Sequence, residues 1–222
     1  MKNDRLKLVI FDKDGLMLDT ERPVFVIWRE VFSEWGLEPL TEELYGKFIG
    51  LGRQDNITQL NRIFPDIDGD ALFSACGART RRFLAENPIR VMTGLIQLLD
   101  FLDAKKLQKA VATSSRRENA EMTLKKCGVF DRVDIVISGD MVEKSKPAPD
   151  IFQKAAAVMG FCPSECLILE DSPAGIIAAH AAGIPVIAVP DMVEPPPEIL
   201  ALCERRCESL SEVIPYISEH IR

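Results

Sequence analysis

The stretch Leu8-Val9-Ile10-Phe11-Asp12-Lys13-Asp14-Gly15 decides the fold. Four apolar, strand-forming residues stop abruptly at two carboxylates spaced i, i+2, and a glycine follows at once. An unbroken apolar run of this kind belongs to a strand buried on both faces, as in a parallel sheet. Similar transitions recur at Val111-Ala112-Thr113-Ser114-Ser115 and at Leu167-Ile168-Leu169-Glu170-Asp171. One open parallel sheet would bring all three polar tips into the crevice where such sheets place their ligands.

Working outward from these strands, residues 6–11 form the first, and the texture then changes. From Leu18 to Pro88 apolar residues recur at helical spacing, and Gly36, Gly50-Leu51-Gly52 and Pro65-Asp66 break the stretch into short helices. After Pro88 strands alternate with helices. Thr93 is the expected N-cap of a helix over Gly94 to Lys105, and strands are expected at 110–113, 133–138, 166–170 and 186–189. Intervening helices are expected at 117–127, 150–159 and 173–182, with a last helix over 211–219. Repeated β-α units predict an α/β fold, a doubly wound parallel sheet with right-handed crossovers. Residues 1–18 and 90–222 would be the catalytic core. Residues 19–89 would be an inserted helical domain, leaving 151 of the 222 residues to the core.

Composition narrows the function. Hydrophobic residues make 47% of the chain and charged ones 27%, with 27 basic against 34 acidic side chains and a net charge of −7. The basic residues are dispersed, which argues against nucleic acid as a partner. No apolar run approaches the ~20 residues that cross a bilayer. Met1-Lys2-Asn3-Asp4-Arg5 leads straight into the first strand with no room for a signal peptide. The cysteines, with two C-x₃-C pairs, lack zinc-ribbon spacing and are expected to be reduced, packing thiols of a cytoplasmic protein. No coiled-coil seam demands a second copy, so a monomer is expected.

The strand tips carry the chemistry. Asp12-Lys13-Asp14-Gly15 is not a calcium loop, because Leu16, Met17 and Pro23 stand where such a loop needs oxygen ligands and a glycine. Asp66-Ile67-Asp68-Gly69-Asp70 fails in the same way. Glu170-Asp171 could cap a helix. Together with Asp12 and Asp14, however, it places four carboxylates in one crevice, where they would raise one another's pKa values unless a cation held them. All-oxygen donors with retained water suit Mg²⁺. Lys146 lies in a proline-stiffened loop before a helix, and Thr113 and Ser114 offer hydroxyls and backbone N–H groups, or else cap the helix that follows. Carboxylates, a metal, a hydroxyl and a lysine describe phosphoryl transfer, in which a carboxylate can form an aspartyl-phosphate and a second can move protons.

These residues resemble the four motifs of the haloacid dehalogenase superfamily, in its phosphatase and phosphomutase branch. Phe11 to Gly15, continuing through Leu18-Asp19-Thr20-Glu21, resembles the first, and Ala112 to Ser115 the second. Lys146 with Pro147 to Phe152 resembles the third, and Leu169 to Gly175 the fourth. The resemblance implies a nucleophile at Asp12, a general acid/base at Asp14, and Mg²⁺ held by Asp12, Asp14 (through its backbone carbonyl) and Asp171, with Glu170 assisting through water. It implies phosphate binding by Thr113, Ser114 and Lys146, and makes 19–89 a helical cap in which Arg53 contacts the substrate. The substrate would be a small phosphorylated metabolite, a sugar phosphate or nucleoside phosphate. Lys13 departs from the apolar residue usual between the two aspartates. Val24 stands where β-phosphoglucomutase carries a histidine, which favours hydrolysis over the alternative of phosphomutase activity. A phosphate-accepting receiver module is the remote alternative; its phosphoacceptor lies on a later strand and no helical insertion follows its first.

Overall fold

The computed structural model describes residues 6–221; Met1–Arg5, on which the expectation about a leader rests, and Arg222 lie outside the described residues. The chain opens with β1 (Leu8–Phe11) and passes into four helices, α1 (Glu21–Glu34), α2 (Glu42–Gly46), α3 (Arg53–Ile63) and α4 (Gly69–Glu86). It then alternates through α5 (Leu95–Ala104), β2 (Gln108–Thr113), α6 (Arg117–Lys126), β3 (Ile135–Ser138), α7 (Asp150–Met159), β4 (Cys166–Glu170) and α8 (Pro173–Ala181). The last elements are β5 (Val186–Ala188), α9 (Pro197–Leu200), β6 (Arg205–Arg206) and α10 (Val213–His220).

The strands form one six-stranded sheet in the order β3-β2-β1-β4-β5-β6, every pairing parallel. Alternation along β1 divides two cores. Val9 and Phe11 face a cluster with Leu98 and Leu102 of α5, Leu124 of α6 and Ile217 of α10. Leu8 and Ile10 face Ile151 and Phe152 of α7 and Ile176 and Ala179 of α8. Both faces are covered, as the unbroken apolar strand requires, and the fold is a doubly wound α/β sheet.

Three details differ from expectation, the first being the short helix α9 where none was expected. Thr93 does not cap α5; Gly94 takes that place at φ 86°. A Cβ on Gly94 would come within 2.3 Å of the Ser211 backbone nitrogen, so close packing against this loop, and not a side-chain cap, sets the helix entry. The two-residue strand β6 is also unanticipated, because Arg205 and Arg206 are exposed and lack the apolar signature of a strand.

The helices α1–α4 gather a separate core in which Trp28 and Phe32 meet Tyr45, Phe48, Leu60 and Leu72. Ring contacts dominate: Trp28 meets Phe73 edge-on at 5.8 Å and Phe32 meets Phe64 edge-on at 5.6 Å. The acidic run before α4 is a helix start, with the Asp68 carboxylate accepting from the N–H groups of Asp70 and Ala71 at 3.0 and 3.1 Å. The helical lobe joins the sheet through two paired crossings, where Asp19 N–H donates to the Arg90 carbonyl and Met92 N–H to the Met17 carbonyl, both at 2.9 Å. From the core, Lys126 Nζ donates to the last carbonyls of α4, Leu84 at 2.8 Å and Ala85 at 2.7 Å.

Phe32 has no exposed surface. Phe32→Ala is expected to cost about 3–5 kcal/mol in chemical denaturation, and a loss below about 1 kcal/mol would show that the lobe does not depend on this aromatic packing.

Candidate active site

Register brings the strand tips together. Phe11 pairs with Val111 on one side and with Leu169 on the other, so Asp12 stands level with Ala112 and Glu170. The Asp12 N–H still donates to the Leu169 carbonyl at 3.0 Å, which holds the backbone of the first carboxylate against β4. Lys146, from the loop before α7, enters this row with its side chain fully buried. Its ammonium donates to Asp12 Oδ1 at 2.5 Å, Glu170 Oε1 at 2.6 Å and the Ala112 carbonyl at 3.2 Å, touching the ends of three strands. Burial disfavours this cation, but Asp12 and Glu170 more than offset it, and its pKa is raised.

Glu170 is occupied on both oxygens. Its Oε2 accepts from the backbone N–H groups of Asp171 and Ser172 and from the Ser172 hydroxyl, each at 3.0 Å. Neither acid of the pair caps α8; Ser172 does, accepting from Gly175 N–H at 3.1 Å. Asp171 Oδ1 is buried and has no partner. Gly15, at φ +80°, lies against this aspartate, and a Cβ there would come within 2.3 Å of Asp171 Oδ2. The glycine after the second acid thus serves both the turn and the approach of Asp171.

Asp14 takes a different set of partners from Asp12. Its Oδ1 takes an ion pair from Lys13 and a bond from the Thr20 hydroxyl at 2.8 Å; its Oδ2 takes bonds from Ser115 at 2.9 Å and Thr113 at 3.2 Å. Burial pushes this carboxyl up, but the Lys13 charge and the bonds from Lys13, Thr20 and Ser115 win, and its pKa is lowered. Lys13, the departure seen in the sequence, is itself buried, at 1% exposure. Its role as a counter-charge to Asp14 was illegible because it depends on which way two adjacent side chains turn. Thr20, Glu21 and Ser115 are further site residues; they lie within the first and second motifs, but the sequence assigned them no role, and no periodicity or spacing rule gives one. Glu21, the first residue of α1, accepts from the Tyr45 hydroxyl at 2.6 Å.

The remaining expected residues divide. Thr113 joins the cluster through Asp14. Ser114 lines the same cavity but donates its hydroxyl across to the lobe, to the Gly50 carbonyl at 2.8 Å. Arg53 also lines the cavity, yet it pairs with Asp70, bonds the Ser74 hydroxyl at 3.1 Å and lies over the Phe73 ring. Its charge is committed within the lobe. The cavity, about 510 Å³, lies between the strand tips and the helical lobe.

Electrostatically the crevice is short of positive charge. Burial, then Glu170 and Asp14 against the opposing pull of Lys146, pushes Asp12 from 3.8 up to about 7. Burial and Asp14 push Glu21 from 4.5 to about 7, and burial with Glu170 and Asp12 pushes Asp171 well up. The folded chain therefore holds protons that the unfolded chain has released, and stability falls as pH rises through that interval. Carboxyls held low, such as Asp14, act below about pH 4 and leave the interval to the raised acids. The melting temperature of the cation-free protein is expected to fall between about pH 5 and pH 8, and Asp171→Asn should flatten the fall. A melting temperature that rises over this range would contradict the assignment.

The family description of haloacid dehalogenase-like hydrolases matches residues 9–189, spanning β1 to the end of β5 and so the whole crevice. The chain is 32% identical to the fructose-1-phosphate phosphatase YqaB of Escherichia coli over 197 residues, 84% of this chain and 97% of the relative. It is 26% identical to the β-phosphoglucomutase of Bacillus subtilis over 191 residues, 83% of each. The crystal structure of CbbY from Rhodobacter sphaeroides in complex with phosphate superposes with a TM-score of 0.79 at 25% identity, covering 94% of this chain and 96% of that one. The strand-tip carboxylates and the buried lysine thus sit on a scaffold shared along nearly its whole length, and the chain belongs to the haloacid dehalogenase-like hydrolases.

Proposed function

We propose that this enzyme, a hydrolase of phosphate esters acting on phosphorylated small molecules, is a Mg²⁺-dependent phosphatase of a small sugar or nucleoside monophosphate that works through an aspartyl-phosphate. The observation that carries the reading is the buried Lys146 bridging Asp12 and Glu170 at the strand tips. A lysine in that position can neutralise the transferring phosphoryl group beside the attacking carboxylate.

The donor set fits a divalent cation. Asp171 presents a buried oxygen with no partner beside an Asp12 carboxyl raised by burial and by the neighbouring negative charge of Glu170 and Asp14. Among the described residues no group of three or more His, Cys, Asp or Glu side chains is spaced to chelate a metal. The ion would rest on Asp12, Asp171 and the Asp14 backbone carbonyl, completed by water, as Mg²⁺ is ordinarily held. When bound, Mg²⁺ neutralises charge on the phosphoryl oxygens. Glu170 contributes by fixing Lys146 and the β4–α8 turn.

In the first step an Asp12 oxygen forms the new bond to phosphorus while the ester P–O bond breaks, and the leaving oxygen takes a proton from the Asp14 carboxylic acid. In the second, the Asp14 carboxylate takes a proton from water as the water oxygen bonds to phosphorus. The Asp12–phosphorus bond then breaks, freeing inorganic phosphate. Lys13, Thr20, Ser115 and Thr113 favour the carboxylate form of Asp14, which is the base of the second step. A phosphate dianion arriving beside Asp14 raises its pKa and favours the acid form the first step needs. The helical lobe acts as a cap, with the Ser114–Gly50 bond one of its closing contacts, so that water is restricted during transfer.

Val24 lines the cavity with an apolar side chain that cannot exchange protons with a sugar, which supports hydrolysis over phosphomutase chemistry. Asp12→Asn is expected to lower phosphate release by about 10³-fold or more, and Lys146→Met by about 10²–10³-fold. EDTA should suppress turnover and added Mg²⁺ restore it. Undiminished turnover by Asp12→Asn would reject the covalent route, and faster isomerisation than hydrolysis with a sugar bisphosphate present would replace the phosphatase by a mutase.

A further inference from the structure

Residues 190–194 follow β5 on the sheet yet pack on the helical lobe. Met192 and Val193 lie against its aromatic cluster. Val193 closes on Gly46, the last residue of α2, where a Cβ would come within 2.9 Å of Val193 Cγ2. Asp191 pairs with Arg22, in the first turn of α1. The Arg22 guanidinium also reaches Asp19 Oδ1 at 3.4 Å, and Asp19 Oδ2 accepts from Arg90 at 2.5 Å. On the sheet side the segment is fastened at both ends. Val189 N–H donates to the Glu170 carbonyl at 2.8 Å, and the Glu194 carboxylate accepts from Arg206 of β6 at 2.7 and 2.9 Å. Pro195-Pro196-Pro197 then stiffens the chain into α9.

We infer that residues 190–194 are a strap that seats the helical lobe over the crevice, with Arg22 and Asp191 as its positioning pair. Arg22 rides on the lobe and Asp191 on the sheet, so rotation of the lobe about the two paired crossings changes their separation. Asp19 and Arg90, by contrast, lie on the crossings themselves. The Asp191 side chain is 1% exposed and its Oδ2 is buried without a partner, whereas the Arg22 side chain is 50% exposed. A carboxylate buried that far with one cationic partner is stabilised only while the partner stays, so parting the lobe from the strap is unfavourable. A cavity of about 340 Å³ beside the pair, lined also by Asp19 and Arg90, leaves that side without packing, so charge holds the joint there. The strap starts beside the residue that bonds the Glu170 carbonyl, and the lobe is thereby set against the strand end that fixes Lys146. Neither Arg22 nor Asp191 touches the reacting atoms. The inference rests on the reading of the lobe as a cap and needs no particular ester.

Arg22→Met, Arg22→Lys, Asp191→Asn and the double variant Arg22→Met/Asp191→Asn test this in the full-length protein. Hydrogen exchange is followed at the crossings, where Asp19 N–H and Met92 N–H are bonded, and along β1 and β4. Phosphate release is followed with Mg²⁺ on the best of fructose 1-phosphate, ribose 5-phosphate and uridine 5′-phosphate. In Arg22→Met and in Asp191→Asn the crossings should exchange about 10-fold faster while β1 and β4 keep the parent rate. In the same two variants kcat/KM should fall about 5- to 10-fold, because the seated lobe is less populated. Arg22→Lys, which keeps the charge, should stay within about 2-fold of the parent. The double variant should lose no more than Arg22→Met alone, since both changes act on one contact. Unchanged exchange at the crossings, equal acceleration throughout the sheet, additive losses in the double variant, or an undiminished kcat/KM each overturns the strap while leaving the phosphatase reading intact. Absence of phosphate release by the parent from every ester would instead overturn the phosphatase reading, and the exchange rates alone would then decide the strap.

Discussion

A single buried ammonium group holds the crevice together. Lys146 sits in the interior and meets Asp12, the Ala112 carbonyl and Glu170, each from a different strand. Removing a charge of this kind from water is costly, and the cost is offset only when its partners are close and otherwise satisfied. Here Glu170 is satisfied, because its second oxygen closes the turn into α8. Asp12 lines the cavity, and burial, with Glu170 and Asp14 beside it, raises its pKa to about 7. The ammonium thus meets one carboxylate whose other oxygen is fully bonded and one crowded by burial and like charge.

The same contrast separates Asp12 from Asp14, although they are two residues apart on one strand end. Asp12 shares a lysine with Glu170 and is crowded by like charge. Asp14 has a lysine of its own, Lys13, together with three hydroxyls from two separate segments of chain. Neighbouring carboxyls whose environments push their pKa values apart are the usual basis for dividing nucleophilic and proton-transfer duties. Strand alternation alone would set residues two apart on one face; β1 ends at Phe11, and it is the turn through Gly15 that gives each its own partners and lets Asp171 approach.

The helical lobe has an aromatic core of its own and meets the sheet at a few places. Trp28, Phe32, Tyr45 and Phe48 make an aromatic core, against which Met192 and Val193 after β5 also pack. It meets the core at the paired crossings, at the end of α4 and through Ser114. Between these contacts lies the cavity, whose Arg53 is paired with Asp70.

The amino-acid sequence by itself determined the sheet, the place of the helical insertion, and Asp12, Lys146, Glu170 and Asp171 as members of one crevice. Apolar runs buried on both faces admit few structures other than parallel strands, and the acids sit where those runs stop. Tertiary structure alone decided the partners. Lys13 beside Asp14, Thr20 and Ser115 on its two oxygens, Ser114 turned to Gly50, and Arg53 held by Asp70 depend on rotamers and on contacts between segments distant in sequence. Gly94 replaced Thr93 at the start of α5 for the same reason, since the loop packed against it leaves no room for a Cβ. Periodicity reports which face a residue occupies; it carries no information about what stands opposite until the chain is packed.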